Sequence, residues 1–230
     1  MELNTNKCKH MRFYRKNAFD VNFLLGGQPL ELVHSFLDLG IMLDAKLSFI
    51  PHINMTINKA RGVLAFIKRW AKEFYDPYIT KTLYTSLVRP ILEYGSVVWD
   101  PFYNIHIDHI ESIQKQFLIF CLRSLHWSSS VVLPPYTSRL ALIKLPTLRS
   151  RRIMLNVTFL LNLIKGNVDS EFLLKNILFN VPIRPSRNYQ PIQIKFFCTN
   201  YANADSLRRI CATFNELYQF IDYAQDLLFV

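Results

Sequence analysis

Acidic and histidine side chains are the groups in this chain whose spacing could support acid–base or metal chemistry. Acid–base catalysis needs carboxylates held close together, and two-metal phosphoryl transfer uses them as ligands. His106 and His109 stand three residues apart, and three acidic pairs have helix-surface spacings: Glu73/Asp76, Asp108/Glu111 and Asp222/Asp226. We interpret the acidic pairs as solvated helix faces. We expect no metal site, because no cysteine or third histidine stands at a fitting distance from the two histidines.

Motifs for other chemistry are missing from the sequence. It contains neither a GxSxG nucleophile motif nor a P-loop, and it has only 6 glycines. The formal net charge is +10, and most of the excess falls in residues 131–230. Such an excess attracts nucleic-acid backbones or anionic membranes. The residues by themselves therefore predict a basic folded protein with no recognisable catalytic centre.

Cysteine usage and hydropathy indicate the compartment. The 4 cysteines form no CxxC pair, and residues 1–15 are polar and basic rather than an apolar leader. We expect reduced thiols in an intracellular protein of the cytoplasm or nucleus that is not secreted. The longest apolar run, residues 153–164, is shorter than the ~20 residues that span a bilayer, so we expect no membrane partner.

Hydrophobic periodicity divides the chain into three parts and predicts an α+β fold in which helices dominate. Residues 1–47 alternate as short strands, with turn chemistry at residues 26–29, and predict a small antiparallel sheet over residues 9–45. Residues 48–127 have helical periodicity and predict a bundle of helices joined by short loops. Residues 128–230 predict a mixed segment with a helix over residues 148–165, proline-punctuated strands and a final helix.

The apolar positions of the bundle predict its helices. The first helix has one apolar stripe at alternating spacings of four and three: Ile53, Ile57, Ala60, Leu64, Ile67, Ala71 and Phe74. Asp76-Pro77 predicts the cap of a second helix, whose apolar positions are Leu83, Leu87, Ile91 and Tyr94. A third helix is predicted through Ile107, Ile110, Ile113, Phe117 and Phe120.

The stretch LVRPILEYGSVVW, residues 87–99, is the least regular part of this pattern. Arg89-Pro90 is expected to break or kink the second helix. Tyr94 and Trp99 are interpreted as core residues rather than as stacking platforms. On this interpretation, residues 87–99 form a structural corner of the bundle rather than a binding site.

Several stretches resemble the reverse transcriptases of non-LTR retrotransposons of the jockey type. Residues 87–99 are similar to a segment that follows the polymerase palm in that family. The stretch LGIMLDAKLSFIPHI, residues 39–53, resembles the family pattern LGxxLDxxLxFxxHI, and IESIQ, residues 110–114, resembles IExxQ. LNTNKCKHMRF, residues 3–13, is similar to the LNxxK segment of the family's fourth palm motif. The likeness is most specific between residues 39 and 114.

This resemblance implies the end of a palm, a helical thumb and the segment after it. The metal-binding aspartates of the family precede the LNxxK segment, so the chain is expected to be a truncated RNA-directed DNA polymerase without catalytic aspartates. Intact family members use Mg²⁺, and no cofactor ligands are expected here. Lys7 matches the lysine of the fourth palm motif, and Leu39-Gly40 matches the primer-grip turn. Asp38 departs from the aromatic residue that the family has there.

The resemblance also implies where nucleic acid would bind, because a thumb helix of the family follows the duplex minor groove. The expected partners are RNA, DNA or an RNA–DNA duplex, bound weakly and without sequence preference. The candidate binding residues are two groups of cations: Lys59, Arg61, Lys68, Arg69 and Lys72, and Arg149, Arg151 and Arg152. The alternative is a helical protein-interaction module or a folded relic, in which these cations only solvate helix faces.

Overall fold

Helices dominate the fold, as expected for the α+β class. The computed structural model describes residues 8–14, 21–71, 76–124, 133–181, 189–195, 199 and 205–218. The helices of this part of the chain are α1 (Ile50–Trp70), α2 (Pro77–Leu83), α3 (Arg89–Glu93), α4 (Ser96–Trp99), α5 (Asn104–Ser124), α6 (Tyr136–Ile143), α7 (Leu148–Ile164), α8 (Glu171–Lys175) and α9 (Ser206–Leu217). Its strands are β1 (Lys9–Met11), β2 (Leu24–Leu25), β3 (Gln28–Pro29), β4 (Glu31–Val33), β5 (Ser35–Asp38), β6 (Ile41–Asp44), β7 (Leu178–Phe179) and β8 (Ile192–Gln193).

The N-terminal strands form three separate pairs rather than the single antiparallel sheet that was expected. Strands β2 and β3 pair as an antiparallel hairpin, and so do β5 and β6. Strand β1 instead pairs with β4 in parallel. Two-residue turns join the antiparallel pairs, whereas β1 and β4 are far enough apart in the chain for the crossover that a parallel pair needs. The expectation of purely antiparallel pairing was therefore wrong for β1 and β4.

Helix α1 forms as its periodicity predicts. Six of the seven stripe residues are at most 5% exposed, from Ile53 to Ala71; the seventh, Phe74, lies outside the described residues. The loop before the helix is fixed by Asp44, whose carboxylate accepts hydrogen bonds from Phe49 N at 2.9 Å and Ser48 Oγ at 3.0 Å. These hydrogen bonds fix the loop that connects strand β6 to helix α1.

The second helix changes its winding at the proline. Asp76 caps α2 as predicted, with Oδ1 accepting from Tyr78 N at 2.7 Å. A π-helical turn over Tyr84–Val88 then joins α2 to α3, and the Arg89 N–H bonds to Tyr84 O, five residues back. Proline cannot donate in an α-helical ladder and clashes with the carbonyl four residues before it, and the wider turn accommodates both effects. Pro90 thus alters the helix without ending it.

The buried face of this helix differs from the predicted one. The predicted apolar positions included Leu87 and Tyr94, but these are 44% and 59% exposed. Tyr84, Val88 and Leu92 are fully buried instead. The predicted set Leu83, Leu87 and Ile91 has the same spacing of four, so the prediction was offset by one position. The interpretation of Tyr94 as a core residue was wrong, whereas Trp99 is buried as predicted, at 1% exposure.

Two hydrophobic clusters hold the molecule together. The first packs α1 to α6 around residues such as Leu64, Tyr84 and Phe117, and it extends to Leu148 at the start of α7. The second lies between the rest of α7, the β7–β8 pair and α9, with Leu160, Ile192 and Phe214 at its centre. The expected boundary at residues 127/128 lies outside the described residues. The boundary between the two clusters lies within α7.

Candidate nucleic-acid interface

Three of the predicted binding cations are exposed on the surface of α1. Lys59, Arg61 and Arg69 are exposed, and none is ion-paired to an acid within the described ranges. The 21 residues of α1 contain no aspartate or glutamate. Gly62 lies on the same face and has nothing within 4 Å of where a Cβ would be. The second half of α1, from Lys59 to Arg69, therefore carries cations and no acid, and Gly62 leaves open space between them.

Lys68 is set apart from these three cations. It is half-buried, and its Nζ lies 6.0 Å from the centre of the Phe120 ring. Burial and then the nearby charge of Arg123 lower the pKa of the Lys68 ammonium below its ordinary value. Both effects disfavour the charged form of the ammonium. The half-buried Lys68 is also less accessible to a phosphate than the exposed Arg61 and Arg69.

The second predicted group of cations is largely committed to holding the fold. Arg152 is 1% exposed, and its Nε donates to Asp100 Oδ1 at 2.7 Å. Arg151 is half-buried and donates to Glu93 through Nη2 at 3.0 Å, and this hydrogen bond raises the pKa of the guanidinium. Only Arg149 of this group is exposed. Arg151 and Arg152 connect helices, so they are unsuited to phosphate contact.

The Leu39-Gly40 turn forms between β5 and β6, as its sequence predicts. Both residues have positive φ, 45° at Leu39 and 83° at Gly40. Tyr94 from the corner after α3 reaches this turn and donates its hydroxyl to Leu39 O at 2.8 Å. A Cβ at Gly40 would lie 3.2 Å from Tyr94 Cε1. The stretches 39–53 and 87–99 are thus in contact. Lys7 and Lys72 lie outside the described residues.

The IESIQ stretch is a structural junction that the sequence did not reveal. Glu111, interpreted as part of a solvated face, is only 6% exposed, so that interpretation was wrong. Its Oε1 accepts from Leu148 N at 3.1 Å, at the start of α7, and from the Tyr136 hydroxyl in a short hydrogen bond. Gln114 accepts from the Tyr84 hydroxyl at 2.8 Å and donates to Pro146 O at 2.8 Å. These bonds fix α6 and α7 to α5, which explains the polar pair in an apolar stretch.

Two further surface features emerge only in three dimensions. Phe66 and Trp70 on α1 form an exposed aromatic pair with ring centres 5.9 Å apart. Separately, a cleft of about 650 Å³ opens between the β6–α1 loop and α4, with Lys46, Trp99 and His106 among its lining residues. None of the predicted binding cations lines that cleft, so it is distinct from the α1 face.

Comparison of the chain with protein-family models, curated proteins and solved structures found no match. Among the described helices, none combines the length and apolarity needed to cross a bilayer. Nor do the described residues bring three or more His, Cys, Asp or Glu side chains together as potential metal ligands.

Proposed function

We propose that this chain is the thumb-containing part of a non-LTR retrotransposon reverse transcriptase and binds nucleic-acid backbones through the exposed face of α1. Lys59, Arg61 and Arg69 would contact phosphates, and Gly62 would let the backbone approach the helix. By itself the chain would have no RNA-directed DNA polymerase activity, because its sequence lacks an Asp-Asp pair. We place its action in the cytoplasm or nucleus.

The observation that carries this proposal is the absence of acids from α1. A helix face that is only solvated normally mixes both signs of charge, because pairs of opposite charge stabilise it. Three exposed cations that have no carboxylate partner in the part of the chain that the structure describes repel each other in the free protein, and a polyanion relieves that repulsion. Binding through phosphates alone is independent of sequence, with Kd of about 10⁻⁴ to 10⁻⁶ M at physiological salt.

The test is the fluorescence anisotropy of a labelled RNA–DNA duplex titrated with the protein at several salt concentrations. Three phosphate contacts give a slope of log K against log salt of about −3, since each contributes about −0.9. The R61A/R69A variant should retain a slope of only about −1 and bind more weakly. The K165A/K195A variant removes the same charge from exposed positions elsewhere and should bind like the unchanged protein. Equal binding by all three proteins would contradict the proposal, and incorporation of nucleotides by the chain would contradict its inactivity as a polymerase.

A second candidate function, protein interaction, is favoured by the N-terminal strands. Phe23, Leu24, Leu37 and Leu39 are each at least half exposed, up to 84% for Leu39. Apolar side chains this exposed on short strands and the residues beside them are typical of a surface that another protein covers. A folded protein that binds no nucleic acid at low salt would favour this function, or a relic without either role.

A further inference from the structure

The aromatic pair on α1 lies beside the cationic residues rather than in the core. Phe66 is 49% exposed and Trp70 is 54% exposed, although both are large apolar side chains on a helix whose opposite face is fully buried. Lys59, Phe66 and Trp70 are spaced seven and four residues apart and so share one side of the helix. Phe66 and Arg69 are neighbours at i and i+3. Aromatic rings and cations therefore alternate along one continuous surface.

We infer that this surface binds single-stranded nucleic acid in preference to duplex, with Phe66 and Trp70 stacking on unpaired bases. The inference rests on the proposed function, because it takes the phosphate contacts of the same helix as given. Ring faces bind bases by stacking, and this contribution is independent of sequence because every base has a π face. In a duplex those faces are already covered by neighbouring base pairs.

The geometry of the pair also suits an unstacked strand. The ring centres are 5.9 Å apart with 52° between the planes, whereas successive stacked bases lie about 3.4 Å apart along one strand. A strand bound to both rings must therefore separate or unstack its bases, which a flexible single strand does more easily than a duplex. Lys59 lies about 10 Å along the helix axis from Phe66 and would hold the phosphates on one side of the stacked bases. Arg69, at i+3 from Phe66, would hold them beside the rings.

Charge by itself predicts the opposite preference. Over the same length of sequence a duplex carries twice the phosphates of one of its strands, and it attracts a cationic helix more strongly. Tighter binding to the single strand would therefore have to come from the bases. A preference for the single strand therefore indicates stacking on the bases, whereas a preference for the duplex indicates attraction to the phosphate backbone.

The experiment compares three labelled probes of equal length: a 12-nucleotide DNA strand, the same strand with abasic sites in place of its bases, and its blunt duplex. We expect the intact strand to bind about tenfold more tightly than the abasic strand and more tightly than the duplex, as stacking on one or two rings predicts. The F66A/W70A variant should lose this preference and still bind the duplex in a salt-dependent manner. Phe172→Ala is the matched control, because Phe172 is 76% exposed on another helix.

Tryptophan fluorescence reports the stacking directly. In a Trp127→Phe background, Trp99 is buried at 1% exposure, so quenching on addition of the strand arises from Trp70. Equal binding of intact and abasic strands with unquenched fluorescence overturns the inference and leaves the proposed function intact. Absence of salt-dependent binding to every probe overturns both. Self-association that is lost in F66A/W70A, measured by sedimentation, would assign the rings to a second copy of the chain and likewise overturn the inference.

Discussion

His52 is held in its neutral form by its position at the start of α1. Its side chain is 3% exposed, and its Nδ1 accepts the Met42 N–H at 3.1 Å. An imidazolium has no lone pair with which to accept that bond, so protonation would break the link between β6 and α1. The Trp99 ring stands edge-on to the imidazole, with ring centres 5.1 Å apart. Burial accordingly lowers the pKa of His52 below its ordinary value.

A lowered pKa at His52 predicts a loss of stability in mild acid. The unfolded chain takes up a proton near pH 6.5, the ordinary value, and the folded chain takes it up only at lower pH. The stabilisation is complete above pH 6.5 and is lost as the pH falls toward the lowered pKa, by at most about 1.4 kcal/mol per pH unit. Urea unfolding between pH 7.5 and 5 measures this slope.

The control for this prediction is His52→Asn, which supplies an oxygen to the Met42 N–H but does not titrate. We expect its free energy of unfolding to vary less steeply between pH 6.5 and 5 than that of the unchanged protein. Parallel pH profiles for the two proteins would show that His52 does not carry the pH dependence.

At the scale of elements, the β5–β6 turn packs closely against Tyr94 in the corner after α3. Gly40 has φ 83°, and a Cβ there would approach Tyr94 Cε1 to 3.2 Å. Gly27 in the β2–β3 turn has nearly the same φ, 80°, but nothing lies within 4 Å of its Cβ position. Both glycines thus need a positive φ, but of the two only Gly40 has an aromatic ring beside its Cβ position.

The comparison of Gly40→Ala with Gly27→Ala isolates that ring contact. Each alanine is strained at positive φ, at a cost of about 1 kcal/mol. Gly40→Ala must also displace the Tyr94 ring and disturb the hydrogen bond from its hydroxyl to Leu39 O. We expect it to lower the free energy of unfolding by about 1 kcal/mol more than Gly27→Ala. Equal losses, measured by urea denaturation, would mean that the ring moves aside freely.

Elements were predictable from the sequence where their determinants are local. The α1 stripe was predicted because each apolar residue is three or four positions from the next, and Asp76-Pro77 carried its own capping signal. Helix α6 was not predicted, because it follows Pro134-Pro135 and covers only 8 residues. The face of the second helix was misassigned by one position, because apolar residues occur at both sets, Leu83, Leu87 and Ile91 and Tyr84, Val88 and Leu92, and the spacing of four does not choose between them.

At the scale of the whole molecule, the contacts that join the two clusters are distant in sequence. Arg152 and Asp100 are 52 residues apart, and Arg209 donates to Asp100 O and Val97 O at 2.9 Å from more than a hundred residues away. A cation pattern does not reveal such partners, so Arg151 and Arg152 were predicted as phosphate ligands. The exposure of Lys59, Arg61 and Arg69 was predictable, because their positions lie outside the apolar stripe of α1. Their role as phosphate ligands stays a prediction.

Asp100 is the point at which α4, α7 and α9 meet. Its Oδ1 accepts from the buried Arg152, and its Oδ2 accepts from Asn156 Nδ2 at 3.2 Å. Glu93 makes a comparable bridge to α7 through Arg151, but the Arg151 side chain is 31% exposed whereas that of Arg152 is 1% exposed. The two bridges therefore differ chiefly in how far water reaches the arginine.

Removing the two carboxylates should consequently have unequal effects. Asp100→Asn leaves the Arg152 charge buried without a counter-ion, which costs about 3 kcal/mol. Glu93→Gln leaves Arg151 partly hydrated and should cost about 1 kcal/mol or less. Since the Asp100 bridge ties α7 and α9 to the first cluster, we also expect hydrogen exchange in α9 to accelerate more in Asp100→Asn than in Glu93→Gln. Similar losses of stability from both substitutions would show that burial of the arginine does not govern how strongly the clusters are joined.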